Sequence, residues 1–340
     1  MIAMELRAPG PVLAGGPRLH RVERPDPEPG PGEVRIDVTA CAVCRTDLQI
    51  VEGDLSPRRT PLVPGHQVVG RISALGVGVD PARHRVGTRV GVAWIGGSCG
   101  HCAMCRSGRE NLCPGLSFTG WDRDGGYATT MTARAPYVSP LPEGFADLDA
   151  APLLCGGTIG YRSLRVAGVD LARAAGTRLG LYGFGASATL VIQMAVHAGA
   201  EVHVATRSAA EQERARALGA TWVGGYDDRP PVPLDAAITF APAGAVVVAA
   251  LRAVGPGGTV AINAIHLDRI PEFDYGLLWM ERSLRSVANV TRQDVTEFLA
   301  LAAAIPLRTA VEVHPLEDAE VALRRLAAGD VSGAAVLAIG

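Results

Sequence analysis

The sequence predicts an α/β protein: a doubly wound parallel sheet preceded by a β-rich stretch and followed by a mixed one. Between residues 178 and 262, strand-length and helix-length apolar runs alternate: RLGLY, EVHVAT, LDAAITF and GTVAINAI read as strands. SATLVIQMAVHAG, SAAEQERARALG and GAVVVAALRAV between them read as helices, the second opened by Ser208 with Glu211 three residues on, a capping-box pattern. Such alternation argues a parallel sheet with helices on both faces. The first 150 residues differ: EVRIDV, QVVGRISAL and TRVGVAW are short, rich in Val and Ile, and separated by Gly and Pro. The C-terminal stretch is mixed, with TRQDVTEFLALAAA and EDAEVALRRLAAG helical and TAVEVHPL and AAVLAIG extended. The changes of character near residues 156 and 293 divide the chain into 1–156, 157–293 and 294–340.

Composition narrows the function. At 340 residues the chain can hold two domains of ordinary size, and 48% hydrophobic content with 41 glycines suits a folded, turn-rich protein. A net charge of −2 without any basic block offers no footprint for nucleic acid. All 32 basic residues are arginine, which excludes Schiff-base or lysine-base chemistry. The opening MIAMELRAPG lacks the charged start and apolar core of a signal peptide, and no run approaches the ~18 apolar residues of a membrane span. A cytoplasmic protein with no membrane partner is therefore expected. In a reducing compartment its seven cysteines are ligands, nucleophiles or core residues rather than disulfides.

Two motifs carry chemistry. In CGHCAMCRSGRENLC, Cys99, Cys102, Cys105 and Cys113 have the spacing C-x2-C-x2-C-x7-C. Four thiolates so close in sequence can complete a tetrahedral shell around Zn²⁺ with no position open to substrate, which reads as structural zinc. An iron–sulfur cluster is the metal alternative, but no second such motif is present. In LGLYGFGASA, Gly183 and Gly185 stand at a strand end, followed by Ala186, Ser187 and, where a third glycine would fall, Ala188. Glycines there let the backbone approach a pyrophosphate, and the helix N-terminus faces its charge. The next strand ends ATRS, where an acidic residue commonly holds the ribose of NAD(H). Arg207 occupies that position between Thr206 and Ser208. A guanidinium flanked by two hydroxyls suits a 2′-phosphate, so NADP(H) is expected over NAD(H). The bland alternative is an exposed arginine beside a helix cap.

On these motifs the chain resembles the zinc-dependent medium-chain alcohol dehydrogenases along essentially its whole length. The resemblance implies a GroES-like catalytic domain, an inserted Rossmann domain and a return to the first. The family's cysteine-rich loop matches at all four positions. CRTD, GHQ and PLLCGGTIGYRSL match its catalytic-zinc motifs, implying Cys44, His66 and Cys155 as ligands of a second zinc, with water or substrate oxygen fourth. A lone histidine after a turn, as in PGHQVVG, is usually a hydrogen-bonded structural residue; the matched cysteines make His66 a ligand. Asp47 matches the aspartate that accepts a hydrogen bond from that histidine, and Thr46 the hydroxyl that contacts the substrate oxygen and begins a proton relay. Arg45 matches a position that contacts the cofactor pyrophosphate in some members. Trp94 and Trp121 are either substrate-pocket walls or core aromatics, and Cys41 is a buried small residue. A homodimer or homotetramer acting on a small-molecule substrate is expected.

Three positions depart from the family pattern. Gln67 stands where glutamate usually follows the ligand histidine, Gln49 where histidine often completes the relay, and Ala334 where an arginine often helps hold the cofactor. The first two bear on proton transfer and leave the zinc ligands and hydride transfer untouched. The reading is a zinc- and NADP-dependent oxidoreductase interconverting an alcohol and an aldehyde or ketone. One alternative keeps the fold and reduces an iminium or activated C=C bond, which needs no alcohol-proton relay. Another is a non-catalytic zinc- and nucleotide-binding protein, against which the intact ligand triad and Thr46 argue.

Overall fold

In the computed structural model, which describes residues 1–340, the strand Glu33–Ala42 is the hub of a seven-stranded sheet. The sheet runs Val311–Pro315, Ala334–Ala338, Glu33–Ala42, Val68–Leu75, Arg89–Val92, Val138–Pro140, with Thr130–Arg134 also pairing on Glu33–Ala42. Every pairing is antiparallel except that of Val311–Pro315 with Ala334–Ala338. Period-two alternation buries Val34, Ile36 and Val38. A register shift between Val38 and Ala40 then moves Cys41 onto the face of Val38, while Ala40 and Ala42 face a second cluster with Val69 and Leu154. A bulge is what lets one strand supply two cores.

The second unit carries six parallel strands in the order Trp222–Gly224, Glu201–Ala205, Arg178–Tyr182, Leu234–Thr239, Val254–Ile262, Ser283–Ser286. Numbered along this unit, that is 3-2-1-4-5-6, the doubly wound order in which nucleotides bind at the carboxyl ends beside the first strand. The two edge strands, Trp222–Gly224 and Ser283–Ser286, are short and carry no Val/Ile run, so the sequence pattern does not announce them.

The compact units comprise 1–155, 289–303 and 308–340 in one, and 156–288 with 304–307 in the other. The chain leaves the parallel sheet soon after Ser283–Ser286, whose end is tied by the Val287 N–H to Ile262 O at 3.0 Å. The second division therefore falls a few residues before the start of the helix Arg292–Ala304. No helix is long and apolar enough to cross a membrane.

Within the parallel sheet, His203 pairs with Gly180 and lies against Trp222, its ring centroid 6.4 Å away. It is 2% exposed and neither ring nitrogen has a hydrogen-bond partner. Burial holds its pKa below the usual imidazole value. Its unfolded form therefore takes up a proton at a higher pH than its folded form, so this residue costs stability as pH falls below about 6.5 and nothing above it. His203→Leu should be neutral or stabilising by up to about 2 kcal/mol at pH 7.5, because it removes unpaired buried polar atoms. Equilibrium urea unfolding at pH 7.5 and 5.5 should show a smaller loss of stability on acidification in the variant.

Candidate active site

Cys44 and His66 leave the sheet at the same end because the register pairs Cys41 with Val68 and the Ala42 N–H donates to Gln67 O at 3.1 Å. Cys44 is the N-cap of the helix Arg45–Glu52, and Asp47, three residues on, turns its carboxylate back across the cap. Asp47 Oδ2 accepts the Cys44 N–H at 2.9 Å, and Oδ1 lies 2.8 Å from His66 Nδ1. Both side chains are fully buried. A carboxylate at Nδ1 makes that nitrogen a proton donor, so Nε2 is the atom whose lone pair a metal would take once it is deprotonated. His66 Nε2 is buried and has no hydrogen-bond partner.

Cys155 follows the turn Ala151–Leu154, whose Leu154 packs against Ala40, Ala42 and Val69. The ligand atoms of Cys44, His66 and Cys155 lie within 4.8 Å of one another. Two sulfurs and one orphaned imidazole nitrogen form a donor set that fits Zn²⁺ and leaves a fourth tetrahedral position open. The turn before His66 admits only glycine. Gly65 has φ +99°, and a Cβ there would stand 2.4 Å from Tyr127 Cδ1 and 2.9 Å from Cys41 Sγ. Tyr127, which sequence reasoning missed in the glycine-flanked GGYATT, is fully buried and its hydroxyl donates to Asp47 Oδ2 at 3.4 Å.

The three groups shift one another's protonation. A hydrogen bond from Cys155, opposed by burial and reinforced by His66, pulls the Cys44 thiol well below its usual range. The same bond to Cys44, together with burial, pushes Cys155 well up. Burial disfavours a charged His66, but the Asp47 and Cys44 charges outweigh it and raise the ring to about 10. A divalent cation on these atoms must displace those protons, so metal uptake strengthens as pH rises.

The other expected residues are divided. Thr46 is half-buried on the first turn of the same helix and Arg45 is exposed there. Gln49 is buried with Oε1 unpartnered, whereas Gln67 Nε2 is committed to Ala42 O at 3.2 Å. Trp94 reaches the Cys44–His66–Cys155 cluster, its ring 5.9 Å from that of His66. Trp121 does not touch His66; it stacks on Trp94 at 6.2 Å, and Arg58 lies over it at 4.1 Å.

A second group of cysteines also converges. Ligand atoms of Cys99, Cys102, Cys105 and Cys113 lie within 4.8 Å of one another. The Cys99–Cys105 and Cys102–Cys105 Sγ separations of 3.9 and 3.6 Å straddle the ~3.8 Å edge of a tetrahedron with Zn–S bonds of about 2.3 Å. Backbone N–H groups of Cys99, Cys102, Cys105 and Gly115 donate to these sulfurs at 3.3–3.5 Å. Such bonds from His101 and Cys102 lower the Cys99 thiol to about 6. The Cys99 N–H favours the Cys113 thiolate too, but burial and the neighbouring sulfurs raise it to about 11, a repulsion that a cation would relieve. Glu110 receives the Arg292 backbone N–H at 2.8 Å and its guanidinium at 2.8–3.0 Å, fastening this lobe to the helix Arg292–Ala304.

In the second unit, Gly183 has φ +92° and a Cβ on it would meet Ala241 N at 2.9 Å. Gly185 caps the helix Ala186–His197, and a Cβ there would meet nothing within 4 Å. Open space beside the free N–H groups of Gly185, Ala186 and Ser187 fits a pyrophosphate, while the buried Ala188 lets the helix pack closely. The adjacent strand end corrects one expectation. Thr206 does not present its hydroxyl to a ligand: it is 2% exposed and donates to the Glu211 carboxylate. Ser208 Oγ accepts the Glu211 N–H at 3.3 Å as the helix cap, which forms only half of the expected capping box. Arg207 is exposed, its guanidinium 5.9 Å from the Tyr226 ring.

Comparison with known proteins bears on the family and the fold. A model of the alcohol dehydrogenase GroES-like domain matches residues 30–143, and one of the zinc-binding dehydrogenases matches residues 188–304. A Mycobacterium tuberculosis (strain CDC 1551 / Oshkosh) protein named probable alcohol dehydrogenase AdhA is 47% identical over 343 residues, spanning 100% of this chain and 97% of its own. The chain belongs to the zinc-dependent medium-chain dehydrogenase/reductase family. It is an alcohol-dehydrogenase-like oxidoreductase. An alcohol dehydrogenase of Geobacillus stearothermophilus is 33% identical over 321 residues, covering 91% of this enzyme and 92% of that one. Among solved structures, a thermostable alcohol dehydrogenase from Pyrobaculum aerophilum superposes with a TM-score of 0.88 at 25% identity, covering 99% of each chain.

Asp47→Asn should separate the two cysteine-containing sites of this enzyme. Losing the charged acceptor behind His66 should weaken metal binding at the Cys44–His66–Cys155 site about 10- to 100-fold. Chelator competition should then remove one metal more readily than from the parent protein, with the four-cysteine site unaffected.

Proposed function

We propose that this chain is a zinc- and NADP(H)-dependent oxidoreductase that interconverts an alcohol with an aldehyde or ketone. The observation that carries the proposal is the convergence of Cys44, Cys155 and the unpartnered Nε2 of His66, with Asp47 fixing the tautomer. Cys44, His66 and Cys155 would hold a catalytic zinc, and Cys99, Cys102, Cys105 and Cys113 a structural one, two per chain. When bound, the catalytic metal supplies Lewis-acid polarisation of the substrate oxygen, and the nicotinamide exchanges hydride with the substrate carbon. Oxidation of an alcohol also releases a proton from its hydroxyl. Thr46, on the first turn of the helix that begins at Cys44, would take up and pass on that proton. Gln49 cannot titrate near neutral pH, so the transfer ends in water or a cofactor hydroxyl. Trp94 supplies an apolar wall beside His66.

Gly183, Gly185 and the first turn of the following helix would hold the pyrophosphate, and Arg207 the 2′-phosphate, with Ser208 still able to donate its hydroxyl hydrogen. A homodimer or homotetramer is part of the proposal. The sheet edge Ser283–Ser286 is unpaired on one side, and Tyr275, Trp279 and Met280 before it are 67, 59 and 51% exposed, an apolar patch suited to self-association.

Metal analysis of protein purified without added zinc should approach two ions per chain. Cys105→Ser should remove one of them and lower Tm by roughly 5 °C or more, with a much smaller effect on the chemical step. A substrate panel followed by NADPH absorbance, with and without chelator, tests the reaction. Carbonyl reduction should dominate and be lost with the metal; faster reduction of C=N or C=C substrates would replace the alcohol reading. NADPH should be preferred over NADH, and Arg207→Asp should reverse or abolish that preference, a change of roughly tenfold to over a hundredfold.

A further inference from the structure

The end of the strand Glu201–Ala205 carries more charge than its cation. Glu211, on the first turn of the helix Ala209–Ala217, reaches back so that Oε2 accepts the Thr206 hydroxyl. Its backbone is fixed by the Ser208 cap, and Gln212 Nε2 pins the strand end by donating to Thr206 O at 2.8 Å. Arg207 is four residues away in sequence, yet it forms no ion pair with Glu211; its guanidinium lies toward the Tyr226 ring instead. The two charges nonetheless act on a common neighbour. The Tyr226 hydroxyl is pushed up by burial, raised further by the Glu211 charge and opposed by that of Arg207. A cation and a carboxylate, unpaired with each other, therefore flank one strand end.

The two sugars that dinucleotides present at this place need opposite partners. A ribose diol donates hydrogen bonds and is best met by a carboxylate, whereas a 2′-phosphate needs cations and N–H or O–H donors. We propose that Glu211 is a specificity-determining residue. Its carboxylate, steered by the Thr206 hydroxyl, accepts from the adenosine ribose of NAD(H) and repels the 2′-phosphate of NADP(H). It thereby tempers the preference set by Arg207. The acid usually supplied by the strand end is supplied here from the helix. This inference rests on the reading that the Gly183–Ala188 loop binds a nicotinamide dinucleotide. Ser208 and Glu211 look in the sequence like a helix cap alone, and the side-chain bond to Thr206 is what gives Glu211 a second role.

The test is isothermal titration of the zinc-loaded enzyme with NADH and NADPH. Titrations with 5′-AMP and adenosine 2′,5′-bisphosphate serve as probes that carry the adenosine end alone. Glu211→Gln keeps the backbone cap and the side-chain length. It should raise the ratio of the NADH to the NADPH dissociation constant about fivefold or more, and the ratio for the two adenosine probes likewise. Thr206→Val, which removes the steering hydroxyl at nearly constant volume, should move both ratios in the same direction by less. Ratios unchanged in Glu211→Gln, or equal weakening of all ligands, would overturn the proposal. Arg207→Gln keeps the failures apart. If it lowers the ratio while Glu211→Gln has no effect, the cofactor reading stands and the role of Glu211 falls. If the parent protein binds none of the four ligands, both fall.

Discussion

The candidate active site depends on one buried carboxylate. Asp47 is fully enclosed yet has donors on both oxygens: the Cys44 N–H and the Tyr127 hydroxyl on one, His66 Nδ1 on the other. An unpaired buried charge would be costly, so these partners are a condition of burying it at all. Each bond also fixes a different part of the site. The Cys44 bond closes the N-terminus of the helix that presents Thr46, the His66 bond fixes the orientation of that ring, and the Tyr127 bond ties Asp47 to the ring packed beneath Gly65. A single side chain thus links a helix cap, a ligand orientation and a core contact.

The two cysteine clusters differ in how they are built. The four-cysteine lobe draws on local chain: backbone N–H groups within it point at its sulfurs, and Arg292 with Glu110 is its long-range tie. The Cys44–His66–Cys155 site draws on three separate segments brought together by sheet register and by the packing of Leu154. Local construction makes a closed site that tolerates change elsewhere. Assembly from distant segments makes a site sensitive to the whole sheet.

Much of this was legible in the sequence, and the remainder has physical reasons. The cysteine spacing, the Gly183–Gly185 turn and the long Val/Ile-rich runs are local signals, and each corresponds to an element that forms from local chain. The helix Arg45–Glu52 is only eight residues long and buries Asp47 and Gln49 alongside Leu48, Ile50 and Val51, so polar and apolar residues alike face inward and the pattern is easily passed over. Tyr127 lay among glycines with nothing nearby to suggest a carboxylate partner 80 residues earlier. Sequence gives adjacency without direction, so Thr206 beside Arg207 looks like a ligand group there, whereas in the fold its hydroxyl turns toward Glu211. The edge strands Trp222–Gly224 and Ser283–Ser286 are held by their neighbours' ladders rather than by propensity of their own.

The strand Ala334–Ala338 places a constraint on the order of events during synthesis. It pairs directly with the end of Glu33–Ala42, Ala338 opposite Ala40, about 300 residues later in the chain. The parallel sheet is drawn from one continuous stretch and can close while the ribosome is still at work. The antiparallel sheet cannot, since a central neighbour of the strand leading to Cys44 is translated after everything else it touches. Until then that strand has an open edge, so a nascent chain stalled in its final tenth would hold a finished parallel sheet and an unfinished antiparallel one.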